Sequence, residues 1–125
     1  MGNESPAFTV FAHSEERTLL AAGETLFRQG DASGPMYAVQ SGSVEIRVNG
    51  VVVETVREGG IFGEMGLIDE GPRTSDAVAA SAATLAVVNQ TQFMLMVRQT
   101  PFFAVQVMRL LVHRLRATDA LIGRA

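Results

Sequence analysis

The chain has 125 residues and a formal net charge of −3, enough for one domain with a real core and too acidic overall to advertise a nucleic-acid-binding face. It contains no cysteine, which excludes disulfides, thiolate catalysis and thiolate metal sites. No apolar run approaches the ~18 residues of a membrane span and the N-terminus lacks a signal-peptide pattern, so a soluble, cytoplasmic protein with no membrane partner is expected.

Residues 1–17 mix Gly, Asn, Ser and Pro with Phe8, Val10 and Phe11. They read as an N-terminal lead-in whose apolar residues dock on the domain, with a helical turn at Ser14-Glu15-Glu16-Arg17 capped by Ser14. From Thr18 to about Asn89 short β-like runs alternate with turn residues. Leu19-Leu20, Thr25-Leu26-Phe27 and Met36-Tyr37-Ala38-Val39 are separated by Gly23, Gly30-Asp31 and Gly34-Pro35. Val44-Glu45-Ile46-Arg47-Val48 alternates apolar and charged residues, as a half-buried strand does. Asn49-Gly50 then marks a hairpin, because both central positions of the favoured turn need positive φ, and Val51 to Val56 return. Beyond Ile61 to Val78, the stretches Ala77 to Ala80 and Thr84 to Val88 add two strands. Many short strands with turns every eight to twelve residues predict a mainly β fold, an antiparallel β-roll of the jelly-roll kind, over about residues 18–89.

After Thr91 the period becomes helical, covering about residues 90–122. Asn89 or Thr91 caps a short helix through Val97, and Pro101 suits the first turn of a second, longer helix. Ala104, Met108, Leu111, Leu115, Thr118 and Ile122 follow heptad spacing, beside a second stripe of Phe103, Val107 and Leu110. The first stripe is available to pair with a second copy while the second packs on the roll; the plain alternative is one broad core-facing stripe. Arg109, Arg114, Arg116 and Arg124 give this end local basicity, which reads as a solvated helix face.

Between these parts lies Phe62-Gly63-Glu64-Met65-Gly66-Leu67, followed by Gly71-Pro72-Arg73-Thr74-Ser75. This pattern resembles the phosphate-binding cassette of cyclic nucleotide-binding domains, the family of bacterial catabolite activators, protein kinase A regulatory subunits and cyclic nucleotide-gated channels. Gly23-Glu24, Gly30-Asp31 and Ser41-Gly42 also fall where that family's roll turns, and the likeness runs from about Leu19 to the C-terminus. The resemblance implies a regulatory module that binds cAMP or cGMP, with cAMP favoured, uses no other cofactor, and signals through its C-terminal helix to an effector protein. Arg73 would hold the phosphate, since guanidinium is planar, always charged and bidentate. Glu64 would accept from the ribose 2′-hydroxyl. Gly63, Met65 and Gly66 would present backbone N–H groups, aided by the start of a short helix over Glu64 to Leu67. Thr74 and Ser75 complete the ligand-binding set, and Thr74 bears on the choice of base.

Asp76 departs from the family's usual residue; on an alternating strand it is expected to face outward. The last helix resembles that of the catabolite activators, placing Arg114 and Thr118 where that group has its arginine and base-contacting threonine. Those chains continue into a DNA-reading domain, and this sequence ends at Ala125, so no nucleic-acid binding of its own is expected. The second function considered is a structural or interaction β-roll that has lost nucleotide binding. Catalysis is not expected: His13 and His113 lie outside the roll strands, without ligand-spaced partners, and no Ser-His-Asp arrangement is apparent.

Overall fold

The computed structural model describes residues 8–121, without the side chains of Thr9 and of residues 118–121. They fall into two compact units, Phe8–Gln90 and the helices from Thr91 onward.

The first unit carries eight strands and a short helix. The strands are β1 (Arg17–Leu20), β2 (Thr25–Phe27), β3 (Met36–Ser41), β4 (Ser43–Val48), β5 (Val51–Arg57), β6 (Ile61–Phe62), β7 (Asp76–Ala79) and β8 (Ala83–Val88); α1 (Glu64–Asp69) sits between β6 and β7. They form two four-stranded sheets, ordered β1-β8-β3-β6 and β2-β7-β4-β5. All pairings are antiparallel. The chain crosses from one sheet to the other between β3 and β4 at Gly42, whose φ is 80°. A Cβ there would overlap the Ala82 carbonyl, so only glycine makes the corner.

The two inner faces meet in one core. Leu20, Phe27, Val39, Val44, Val56, Phe62, Ala77, Ala79 and Leu85 are buried in it, with Leu26, Tyr37 and Ile46 packed against it. The alternation of β4 has its expected consequence: Val44 and Ile46 face this core, while Glu45 and Arg47 pair on the other face at 2.6 Å. The hairpin turn also matches its sequence, with φ of 52° at Asn49 and 81° at Gly50.

The lead-in differs from its reading. A 3-10 turn occupies Thr9–Phe11, and Ser14 to Arg17 is not helical. The Val87 N–H donates to the Glu16 carbonyl, so pairing with β8 holds that segment extended into β1. Phe8 and Phe11 are buried, whereas Val10 is exposed. β6, only two residues long, has no periodicity to announce it; its register against Tyr37 and Ala38 fixes it.

The second unit contains most of α2 (Gln90–Gln99) and all of α3 (Pro101–Leu121). α2 thus runs two residues beyond Val97, and α3 begins at the expected proline. Phe93 and Phe103 meet edge to face at 5.5 Å. The two predicted stripes of α3 separate by burial. Phe103, Val107 and Leu110 are buried, while Met108 and Leu115 are 61% and 62% exposed. Ala104 and Leu111 are half-buried. Ile122 and the Thr118 side chain lie outside the described residues. No helix among the described residues is long and apolar enough to cross a membrane.

Candidate functional site

The site is built where β6 ends. Gly63 adopts φ 81° and caps the N-terminus of α1. A Cβ at this position would lie 2.9 Å from Arg73 Nη1 and 3.4 Å from the Pro35 carbonyl oxygen. Glycine is therefore required twice, for the left-handed backbone and for the space the guanidinium occupies. Gly66, one turn into α1, leaves similar room: a Cβ would come within 3.1 Å of Ser33 Cβ and 3.6 Å of Arg73 Nη1.

Glu64 is the first residue of α1 and only 2% exposed. A carboxylate in a first helical turn is favoured by the helix dipole, but that exposed-surface preference does not account for its burial. Met65 points outward and Leu67 packs inward. α1 ends at Glu70, whose φ of 58° lets its N–H reach the Gly66 carbonyl at 3.0 Å. Asp69 accepts from the Gly71 N–H at 2.9 Å, closing the turn that brings the chain back.

Arg73 is 7% exposed. Its Nη2 donates to the Pro35 carbonyl at 2.8 Å and its Nη1 to the Gly63 carbonyl at 3.3 Å, which commits two of the five guanidinium N–H groups. Its backbone is tied as firmly, since Arg73 N–H donates to Asp31 O and Gly30 N–H donates to Arg73 O, both at 2.8 Å. The guanidinium carbon lies 4.1 Å above the Phe27 ring. Phe27 belongs to an aromatic group with Phe62 and Tyr37, in which Tyr37 stacks on Phe62 at 5.5 Å. Burial lowers the Arg73 pKa from its ordinary value, against the opposing pull of Tyr37, Asp31 and Glu64. Burial raises that of the Tyr37 phenol, and Arg73 pulls the other way. Asp69 and Glu70 are exposed, whereas Arg73 is buried.

Thr74 is exposed and Ser75 half-buried at the start of the return into β7. Asp76 shares the outer face of its sheet with Arg47, its register partner, while Ala77 and Ala79 face the core. The Asp76 carboxylate accepts the Gln29 backbone N–H at 2.7 Å, and the Gln29 side chain accepts the Asn49 N–H at 3.2 Å. Asp76 thus ties the β2–β3 loop to β7, and Gln29 ties that loop to the hairpin turn.

Gly63, Glu64, Gly66 and Arg73 are brought together as the spacing anticipates. Arg114 lies on α3 in the other unit, half-buried, and Thr118 is on the same helix. Pro35 and Phe27 are the participants that sequence patterns missed. Gly34-Pro35 reads only as a turn, and Phe27 only as core, because nothing in the chain says which carbonyl or ring an arginine will meet. Beside this cradle a cavity of about 260 Å³ is lined by Ser33, Gly34, Pro35, Gly66, Leu67, Glu70, Asn89 and Gln90. Among the described residues no three His, Asp or Glu side chains are grouped to hold a metal ion.

Residues 17–100 match the family model for the cyclic nucleotide-binding domain. The chain is 33% identical over 109 residues to the cyclic AMP receptor protein of Thermus thermophilus, covering 83% of this chain and 50% of that protein. The crystal structure of the Thermus thermophilus catabolite activator protein aligns with a TM-score of 0.76 at 33% identity, over 86% of this chain and 53% of that one. The cGMP-bound form of the EAL enzyme Bd1971 aligns with a TM-score of 0.65 at 28% identity, over 86% of this chain and 30% of that one. This chain therefore spans about half, or less, of the length of these three proteins.

Proposed function

The chain belongs to the cyclic nucleotide-binding domain family, and on that premise we propose that it is a regulatory module that binds a cyclic nucleotide and catalyses nothing. Arg73 receives the phosphodiester, its guanidinium aimed by the Pro35 and Gly63 carbonyls. Glu64 accepts from the ribose 2′-hydroxyl, with Gly63, Met65 and Gly66 supplying backbone donors and Thr74 and Ser75 completing the pocket. The observation that carries this reading is a buried arginine held by two carbonyls beside a buried glutamate. A cation is expensive to bury, and a ligand of opposite charge offsets that cost.

cAMP is the favoured ligand, because a cyclic AMP receptor protein stands among the relatives; cGMP is its competitor. Asp76, bonded to the Gln29 N–H on the outer face, does not repel the phosphate in this reading. Binding draws the C-terminal helix, with Arg114 and Thr118, toward the base. The exposed stripe with Met108 and Leu115 pairs with a second copy, and an effector protein reads the change. Such switching requires the ligand to bind one arrangement better than the other.

Calorimetric titration with cAMP and cGMP tests the assignment. The wild type binds one or both, and Arg73→Ala loses roughly 2–5 kcal/mol, the cost of truncating a desolvated charge pair. Equal binding by both proteins removes Arg73 from the site. An unchanged melting temperature in millimolar cAMP and cGMP establishes instead a roll that no longer binds nucleotide, since a bound ligand stabilises the folded state.

A further inference from the structure

The turn between β4 and β5 closes with Val48 opposite Val51, and Asn49 and Gly50 both take left-handed conformations. That geometry selects asparagine followed by glycine. The same pair is the least hindered setting in which an asparagine side chain can react with the next backbone nitrogen, and asparagine is among the thermolabile residue types. Three observations leave the reaction open here. Both residues are exposed at a hairpin tip. A Cβ on Gly50 would have nothing within 4 Å, so no neighbour screens its nitrogen. Among the described residues, neither the Asn49 side-chain amide nor the Gly50 N–H is hydrogen-bonded, while the Asn49 backbone N–H is anchored on the Gln29 side chain at 3.2 Å. Asn3 and Asn89 are followed by Glu4 and Gln90, whose side chains crowd the corresponding nitrogen.

We propose that Asn49 is a modification site, deamidated by water through a cyclic imide, and that the product loosens the Arg73 cradle. The Gly50 nitrogen gives up its proton to solvent and attacks the Asn49 side-chain carbonyl carbon. A carbon–nitrogen bond forms, the bond from that carbon to the amide nitrogen breaks, and the amide nitrogen takes a proton from solvent and leaves as ammonia. Water then opens the imide. Opening at the side-chain carbonyl gives aspartate; opening at the backbone carbonyl gives isoaspartate, in which the main chain runs through the side chain. Either product adds a negative charge. Isoaspartate also inserts one carbon into the main chain of a two-residue turn, where loop length fixes the strand register. The effect reaches the cradle through Gln29, which holds the Asn49 N–H and whose own N–H bonds Asp76 at 2.7 Å. The next residues pin the Arg73 backbone, Gly30 N–H donating to Arg73 O and Arg73 N–H to Asp31 O. A distorted turn removes one anchor of that loop. This last step rests on the cyclic nucleotide reading of the site.

Incubation of the intact protein at mildly alkaline pH, followed by tryptic peptide mapping, tests the chemistry. The peptide from Val48 to Arg57 gains the mass of an amide-to-acid conversion and splits into two products of equal mass, with isoaspartate the larger. Its rate rises with pH, because the attacking nitrogen must lose its proton, and Asn3 and Asn89 stay intact. Asn49→Gly, which suits the same turn, gains no mass in that peptide. In titrations with cAMP and cGMP, the deamidated wild type, separated by charge, binds about threefold more weakly than the fresh protein, the order of one hydrogen bond. Incubated Asn49→Gly binds as its fresh sample does. An Asn49 that survives in the folded protein while it converts in the urea-unfolded chain overturns the modification. Full conversion with unchanged affinity overturns its effect on the cradle. Fresh wild type that binds neither nucleotide overturns the cyclic nucleotide reading and that effect with it, and the peptide map still decides the modification.

Discussion

The guanidinium of Arg73 lies 4.1 Å over the ring of Phe27, so the charge at the centre of the cradle rests on the face of a core aromatic. A cation over an aromatic face gains about 0.5–1 kcal/mol when exposed and about 2 or more when desolvated. Phe27→Leu keeps an apolar side chain of similar bulk and removes the ring quadrupole. We expect it to fold, with its ligand affinity reduced about fivefold or more in calorimetry. Undiminished affinity in a folded Phe27→Leu would show that the two carbonyls alone aim the arginine.

Gly63→Ala meets two penalties. The backbone at φ 81° costs an L-residue about 1–2 kcal/mol, and the new methyl presses on Arg73 Nη1. Stability falls by at least that amount in denaturant titration. Nucleotide affinity falls further, because the guanidinium must shift from the Gly63 carbonyl.

Asp76→Ala separates two roles for one carboxylate. It removes the partner of the Gln29 N–H; because that bond is exposed, water takes its place and the loss of stability is about 0.5–1.5 kcal/mol. Ligand affinity, measured well below the melting temperature, stays within about threefold. A marked gain in affinity would mean that Asp76 repels the phosphate after all.

Tyr37 gives a pH dependence with a fixed sign. Its folded pKa is raised above the ordinary value of 10.0, chiefly by burial. The neutral phenol is thus the form the fold prefers. Its contribution is fully present below the unfolded-state pKa and is lost as pH rises through the higher folded value. In chemical denaturation the stability should fall above about pH 10, with a smaller slope in Tyr37→Phe. Equal alkaline slopes would contradict the shift.

The exposed stripe of α3 is tested by charge. Met108→Glu with Leu115→Glu replaces two largely exposed apolar side chains and leaves the buried Phe103, Val107 and Leu110 in place. Analytical ultracentrifugation should show a self-associating wild type and a monomeric, folded double variant. A wild type that stays monomeric at high concentration removes the second copy from the mechanism.

The sequence by itself determined the roll and the hairpin, because these follow from local rules. Period-two alternation in β4 sets which side chains face inward, Asn49-Gly50 demands positive φ, and Pro101 opens a helix. Glu64 and Arg73 were legible because the spacing of consecutive residues there resembles the cassette of a known family. Only the tertiary structure decided what Arg73 touches. Pro35 and Phe27 lie 38 and 46 positions before it, on elements joined to it by the crossing of two sheets, and chain pattern carries no record of such meetings. The same holds for Asp76, whose partner at Gln29 is set by a loop. Sheet register, such as that of β6 against Tyr37 and Ala38, is likewise fixed by long-range pairing that no single segment encodes.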